Sequence, residues 1–302
     1  AGQNFENFKI EGDIDLTNYA KAGKLPMGLK INSLTGGSKS GGEKYTISSG
    51  NVSYSTSSPA ESMFTTISGG IRNLKFANIT LDNGTKAGTN FGLIASNQGT
   101  IDNCEFESIK LSGYQASQVG MIGSNSGSVT NIRLKNINVS TTASMNYVGG
   151  LIGYNTGTVK HVEAEGDEVN YTSMEDMPSG SLFHYQVTAA SGSYVGGIIG
   201  ITKTAVSDLS IKGAYVKGSS YTGGIAGQIA PAVVTENITV GESGYPVYIS
   251  GSSRTAGVGY HNRSESTDIG YLKNAKVRYT YISGGSYTSG VIMGDWYYYV
   301  QN

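Results

Sequence analysis

Phe91-Gly92-Leu93-Ile94-Ala95-Ser96-Asn97-Gln98-Gly99 decides the fold, because the chain repeats it. It returns as Val119-Gly120-Met121-Ile122-Gly123-Ser124-Asn125-Ser126-Gly127 and as Gly149-Gly150-Leu151-Ile152-Gly153-Tyr154-Asn155-Thr156-Gly157. Weaker copies follow at Gly196-Gly197-Ile198-Ile199-Gly200, Gly223-Gly224-Ile225-Ala226-Gly227, Ala256-Gly257-Val258-Gly259 and Ser289-Gly290-Val291-Ile292-Met293. The glycine before the apolar pair falls at 92, 120, 150, 197, 224, 257 and 290, in steps of 28, 30, 47, 27, 33 and 33 residues. Self-similarity at such a period marks a stacked array of one structural unit. One step is too long.

A second pattern rides on the first. Ile101, Cys104, Phe106, Ile109 and Leu111 recur at the same offsets as Val129, Ile132, Leu134, Ile137 and Val139, and as Val206, Leu209, Ile211, Ala214 and Val216. Steps of two keep side chains on one face of a strand, and steps of three break that parity. Corner residues at a bend restore it. An amphipathic helix would read i, i+3, i+4, i+7 instead. Asn97-Gln98-Gly99, Asn125-Ser126-Gly127 and Asn155-Thr156-Gly157 stand at such corners, where Asn and Gly accept positive φ. The pattern predicts short strands, three to a turn, hydrogen-bonded in parallel from coil to coil. The fold class is all-β: a right-handed parallel β-helix (β-solenoid) of about seven to eight coils with an N-terminal cap, its hand set by the crossover rule.

Composition agrees. The 302 residues include 44 glycines, and charged residues reach only 14%, against about 25% in ordinary globular chains. Twenty-one basic against 22 acidic residues leave a formal charge of -1, which gives no drive toward nucleic acid or an anionic membrane. Cys104 is the single cysteine, so no internal disulfide or multi-cysteine metal site is expected. No apolar run is long enough for a transmembrane helix. The start, Ala1-Gly2-Gln3, lacks an initiator Met and reads as a mature or trimmed fragment.

Val148-Gly149-Gly150-Leu151-Ile152-Gly153-Tyr154-Asn155-Thr156-Gly157-Thr158-Val159 resembles the GLUG repeat of bacterial surface proteins, named for its Gly-Leu-apolar-Gly core. Gly12-Asp13-Ile14-Asp15-Leu16, Lys44-Tyr45-Thr46-Ile47-Ser48 and Gly69-Gly70-Ile71-Arg72-Asn73-Leu74 resemble the usual lead-in to such repeats. The resemblance implies an exported, extracellular protein of the cell surface or outer membrane, with other domains or an anchor elsewhere and an adhesin-like role. It carries over no catalytic residues.

Residues 1–60 are read as a cap with a first irregular coil, and 61–302 as repeats with an insertion near 166–190, in one continuous structural domain. Across the coils, Glu105, Arg133 and Glu163 would form one charged ladder, with Glu107, Lys135 and Glu165 beside it. Such a ladder most simply neutralises neighbouring outward charges. His161, His184 and His261 share no evident repeat position, and no nucleophile elbow, zinc motif or phosphate loop occurs. Cys104 falls in the inward column of Ile132, Val162 and Leu209, as a core residue. The acidic stretch from Glu163 to Asp176 could offer oxygens to calcium but lacks a loop motif for it. No cofactor and no metal are assigned.

The long step is the remaining signal, because a long excursion from a compact array is often functional. Tyr171, Phe183, His184 and Tyr185 lie on it and are the candidate ligand-binding residues. Replacing 168–185 by a Gly-Ser link is expected to leave the coils folded. The leading functional reading is a non-catalytic surface protein that binds host protein or glycan through a solenoid face or this insertion. A polysaccharide lyase or glycoside hydrolase, or a structural spacer, are the alternatives, since sites are grafted on folds.

Overall fold

The computed structural model describes residues 4–55, 61–84, 87–142, 146–170, 182–190, 193–262, 270–294 and 298–301. They form a parallel β-solenoid of about eight turns. Its strands fall into a 20-stranded, an 8-stranded and a 7-stranded sheet, and every named strand pair is parallel. Each regular coil spends four strands rather than the expected three, because the largest sheet takes two segments per turn. In one coil these are Ile122–Asn125, Ser128–Lys135, Asn138–Thr141 and, leading to the next coil, Tyr147–Gly149.

The register is the one the apolar spacing demands. Cys104 pairs with Ile132, Ile132 with Val162 and Val162 with Leu209, and all four are buried in the single main core. The steps of three are produced by one residue in the left-handed region at each break. Asn103, Asn131, His161, Asp208, Asn237 and Asn274 form one such column, with φ between 51° and 58°. Asn78, Ser108 and Asn136 form a second, with φ of 53°. Asn, Asp and His are the non-glycine residues that tolerate this conformation best. His161 therefore does hold a repeat position.

The Asn-x-Gly corners work differently from the expectation. Asn97, Asn125 and Asn155 are buried, and none is among the residues with positive φ. Their amides form an internal ladder instead: Asn97 Nδ2 donates to Asn125 Oδ1 at 2.7 Å, and Asn125 Nδ2 to Asn155 Oδ1 at 2.8 Å. Asn155 Oδ1 also accepts from the Gly157 N–H at 3.2 Å, which ties the corner to the ladder. A buried amide without such partners would cost kilocalories, so this column is satisfied rung by rung.

Strands within residues 4–55 already belong to the solenoid. Leu29–Gly36 pairs with Phe64–Arg72, Tyr45–Ser48 with Leu74–Ala77, and Ser53–Ser55 with Thr80–Asp82. Asn4–Ile10 adds a further parallel strand against Leu29–Gly36, and the short helix Thr17–Lys21 places Ala20 in the core. An apolar cavity of about 360 Å³, bordered by Phe8, Leu16, Leu34 and Met63, lies at this end.

Candidate functional site

The long step resolves into an insertion at one corner. Glu165 pairs with Lys135, and Gln186 pairs with Asn138. Three positions in one coil are thus matched by 21 in the next, which places 18 additional residues between Glu165 and Gln186. Tyr171 lies outside the described residues, as do Glu175 and Asp176 of the acidic stretch.

The other three candidates are placed in quite different settings. Tyr185 opens the strand Tyr185–Ala189, pairs with Ala214 and is fully buried. It stands where the preceding coil has Ile137. Its larger ring fits because Ala164 and Ala214 are small, and Gly150 is bare where a Cβ would lie 2.0 Å from the Tyr185 hydroxyl. That hydroxyl donates to the Gly197 carbonyl at 2.7 Å, and burial pushes its pKa up. Phe183 is buried with Val169 and Tyr215 in a small second cluster, its ring 6.0 Å from that of Tyr215. Neither ring offers a face to a ligand. Both bind the insertion to the solenoid, because a buried aromatic removes more apolar surface from water than an exposed stacking contact would.

His184 alone is exposed. Its Nδ1 lies 2.6 Å from Asp167 Oδ2, and Asn136 Nδ2 donates to Asp167 Oδ1 at 3.1 Å. The Asn136 hydrogen bond, with His184 beside it, holds the Asp167 carboxyl below its ordinary range. This pair joins the two stems of the insertion. Glu165, at the start of the insertion, takes Arg133 at 2.6 Å. Among the described residues, no group of three or more His, Cys, Asp or Glu is arranged to hold a metal ion.

The charged flank follows the expected register. Glu105, Arg133 and Glu163 are in line, as are Glu107, Lys135 and Glu165. Its ion pairs run across the columns: Lys44 to Glu105 at 2.5 Å, Lys75 to Glu107, and Lys212 to Glu242 at 2.8 Å. A polar groove of about 350 Å³ crosses it, bordered by Glu105, Arg133, His161, Glu163 and Asp208. Cys104 lies beneath, its thiol pushed up to about 12 by burial, which keeps it protonated and unreactive.

Elsewhere a second surface emerges that the charge pattern does not touch. Two outward columns meet at the corner between the 7-stranded sheet and the largest sheet. One runs Asn90, Gln118, Tyr147, Tyr194, Tyr221, Arg254 and Tyr287. The other runs Ser96, Ser124, Tyr154, Ile201, Gln228 and Tyr260. The corner is re-entrant because glycine lets backbones close up there. A Cβ on Gly153 would lie 2.6 Å from the Val119 nitrogen and 2.7 Å from the Gly123 carbonyl oxygen. Side chains of the two columns therefore touch outside the core: the Tyr147 and Tyr154 rings at 5.5 Å, and Tyr221 and Tyr260 at 4.7 Å.

Along the crease the rings stack. Tyr147 and Tyr194 are 5.3 Å apart, and Tyr194 and Tyr221 are stacked 4.5 Å apart with their planes nearly parallel, at 6°. The Arg254 guanidinium lies 5.2, 5.4 and 5.5 Å from the rings of Tyr221, Tyr260 and Tyr287. Partial burial, reinforced by Tyr221 and Tyr147, raises the Tyr194 pKa, so its hydroxyl keeps its proton. The middle rings spend their faces on each other and present edges and hydroxyls outward. Tyr147 and Tyr154, tilted at 54°, open a notch at one end. The signal for this surface was in the sequence as Tyr147-Val-Gly-Gly, Tyr194-Val-Gly-Gly and Tyr221-Thr-Gly-Gly, each tyrosine four residues upstream of the repeat's apolar pair.

A parallel β-solenoid with repeated glycine corners and a tyrosine-lined crease defines a class of repeat protein rather than an activity. Within that class, residues 146–170 match the GLUG motif, which is consistent with a GLUG-repeat protein. The match ends where the insertion begins. No curated protein and no solved structure matches the chain, and no helix among the described residues is long and apolar enough to cross a membrane.

Proposed function

We propose that this chain is a non-catalytic, exported surface module that holds a host protein or glycan in the tyrosine-lined crease. The observation that carries the reading is the crease itself: Tyr147, Tyr154, Tyr194 and Tyr221, all half-buried, aligned over successive coils with Arg254 and the buried Tyr260, and held by ring contacts. Rigid tyrosines supply amphipathic contact area at low entropic cost, and neighbouring Ser, Asn and Gly supply adaptable hydrogen bonding. The insertion supports rather than supplies this surface, since Phe183 and Tyr185 are buried. The adhesin-like role and the bacterial surface rest on the GLUG resemblance. Arrays of glycans and extracellular proteins test the reading. The wild type should bind a defined ligand, and Tyr194→Ser with Tyr221→Ser should abolish that binding while the fold survives. Binding that ignores both changes would overturn it.

The enzymatic alternative has one observation behind it, the groove bordered by Glu105, Glu163 and Asp208. Two carboxyl groups across a sugar bond are what glycoside hydrolysis requires. Turnover of any polysaccharide that disappears in Glu163→Gln would replace the binding reading with that one.

A further inference from the structure

We propose that the crease takes an uncharged, extended polysaccharide, laid along the solenoid axis with about one sugar to each coil. This rests on the reading of the crease as the ligand surface, and names its ligand class.

The first argument is charge. The two crease columns carry a single charged side chain, Arg254; every other position named in them is Tyr, Asn, Gln, Ser or Ile. An acidic chain would be gripped by bidentate cations, as carboxylate and phosphate are elsewhere. Arg254 is not offered in that way. Its guanidinium is engaged with three rings, and its Nη1 donates to Tyr221 Oη at 3.4 Å. The ion-paired ladders lie on the other flank, where their charges neutralise one another.

The second argument is chemistry. Hydroxyls and amides both donate and accept, and so do the hydroxyls of a neutral sugar. Matching them needs no ion to be desolvated, whereas placing a carboxylate against neutral groups costs its hydration with no countercharge in return. Burial raises the Tyr194 pKa, so that phenol keeps its proton.

The third argument is period and shape. Like groups recur at the strand spacing of about 4.8 Å, visible in ring separations of 5.3 and 4.5 Å. One hexose of an extended chain advances by about the same length. A polymer of identical units thus meets the same tyrosine on three successive coils, at Tyr147, Tyr194 and Tyr221. A folded protein would need a deep apolar pocket for a central anchor, and the apolar members here, Ile201 and Tyr260, are already buried at 2% and 3% exposure.

The test uses the whole chain and defined probes: neutral linear glucan, xylan and mannan oligosaccharides of graded length, with polygalacturonate and heparin as acidic counterparts. Calorimetric titration should show one neutral series binding, with affinity rising about ten-fold or more from the shortest to the longest member. That affinity should change less than about two-fold between roughly 0.05 and 0.5 M salt, because no ion pair is formed. Tyr194→Phe with Tyr221→Phe keeps the stacked rings and removes two hydroxyls, and should weaken binding several-fold with an unchanged melting temperature. Preference for the acidic chains, a steep salt dependence, or affinity independent of length would overturn the ligand class. So would no binding to any neutral chain. If a protein ligand is instead lost in Tyr194→Ser with Tyr221→Ser, the crease remains the ligand surface and only its ligand class falls. If no ligand depends on the crease, both readings fall together.

Discussion

The charged flank and the tyrosine crease are built on the same coils, by the same register, from the same kind of outward column. They differ in what a column does with identical neighbours stacked above and below it. Like charges at the strand spacing repel, so the flank alternates Lys75, Glu105, Arg133 and Glu163, and pairs across columns, as Arg133 does with Glu165 at 2.6 Å. Like aromatics attract, so the crease repeats Tyr147, Tyr194 and Tyr221 without alternation. A self-neutralised ladder has little left to offer a partner. A self-stacked ladder leaves the half-buried Tyr147 and Tyr194 to meet one.

The comparison has a sharp inner boundary, and the largest expected effect tests it. Ile132→Asp should cost several kcal/mol, about 5 or more, because it buries a carboxylate with no partner in the ladder of Cys104, Ile132 and Val162. Arg133→Ser, one residue along and outward, removes an ion pair whose arginine is half exposed, and should cost about 0.5 kcal/mol. Denaturant midpoints measure both. Equal losses would mean that inside and outside have been assigned to the wrong faces.

Tyr185 comes next. Tyr185→Ala should destabilise by roughly 3–5 kcal/mol, since a large ring leaves a site lined by Ala164, Ala214 and Gly150 that cannot collapse much further. Replacing 168–185 should therefore disrupt the coil, against the expectation from sequence, while replacing only 171–181 should be tolerated to within about 1 kcal/mol. Thermal unfolding of the two replacements separates these outcomes. If both are tolerated, the insertion is not pinned by Phe183 and Tyr185.

These two residues also mark where the sequence stopped being legible. The core columns could be read because Ile, Leu, Val and Cys recur at fixed offsets, and periodic burial is what apolar spacing encodes. Tyr185 occupies such an offset as well, but 18 inserted residues hide its alignment with Ile137, so an aromatic on a long loop reads as a ligand contact. The Asn97, Asn125 and Asn155 column could be seen but not its mechanism: the same residue serves as a left-handed pivot at Asn103 and as a buried amide rung at Asn125. Composition cannot tell those apart, because the choice depends on which way the corner folds. The crease was missed for the opposite reason. Its Tyr-x-Gly-Gly copies are as regular as the core, but attention to apolar columns passes over a tyrosine that repeats on the outer face.

The claim that the crease, and not the charged flank, receives the ligand is tested most directly by labelling both surfaces in one sample. Hydroxyl-radical footprinting of tyrosines, together with carbodiimide labelling of carboxylates, would be read by mass spectrometry with and without the ligand returned by the arrays. The account predicts that Tyr147, Tyr154, Tyr194 and Tyr221 lose labelling when ligand is present, while Glu105, Glu163 and Asp208 keep theirs. Protection of those carboxylates with the tyrosines unchanged would contradict it, and would move the site to the polar groove on the charged flank.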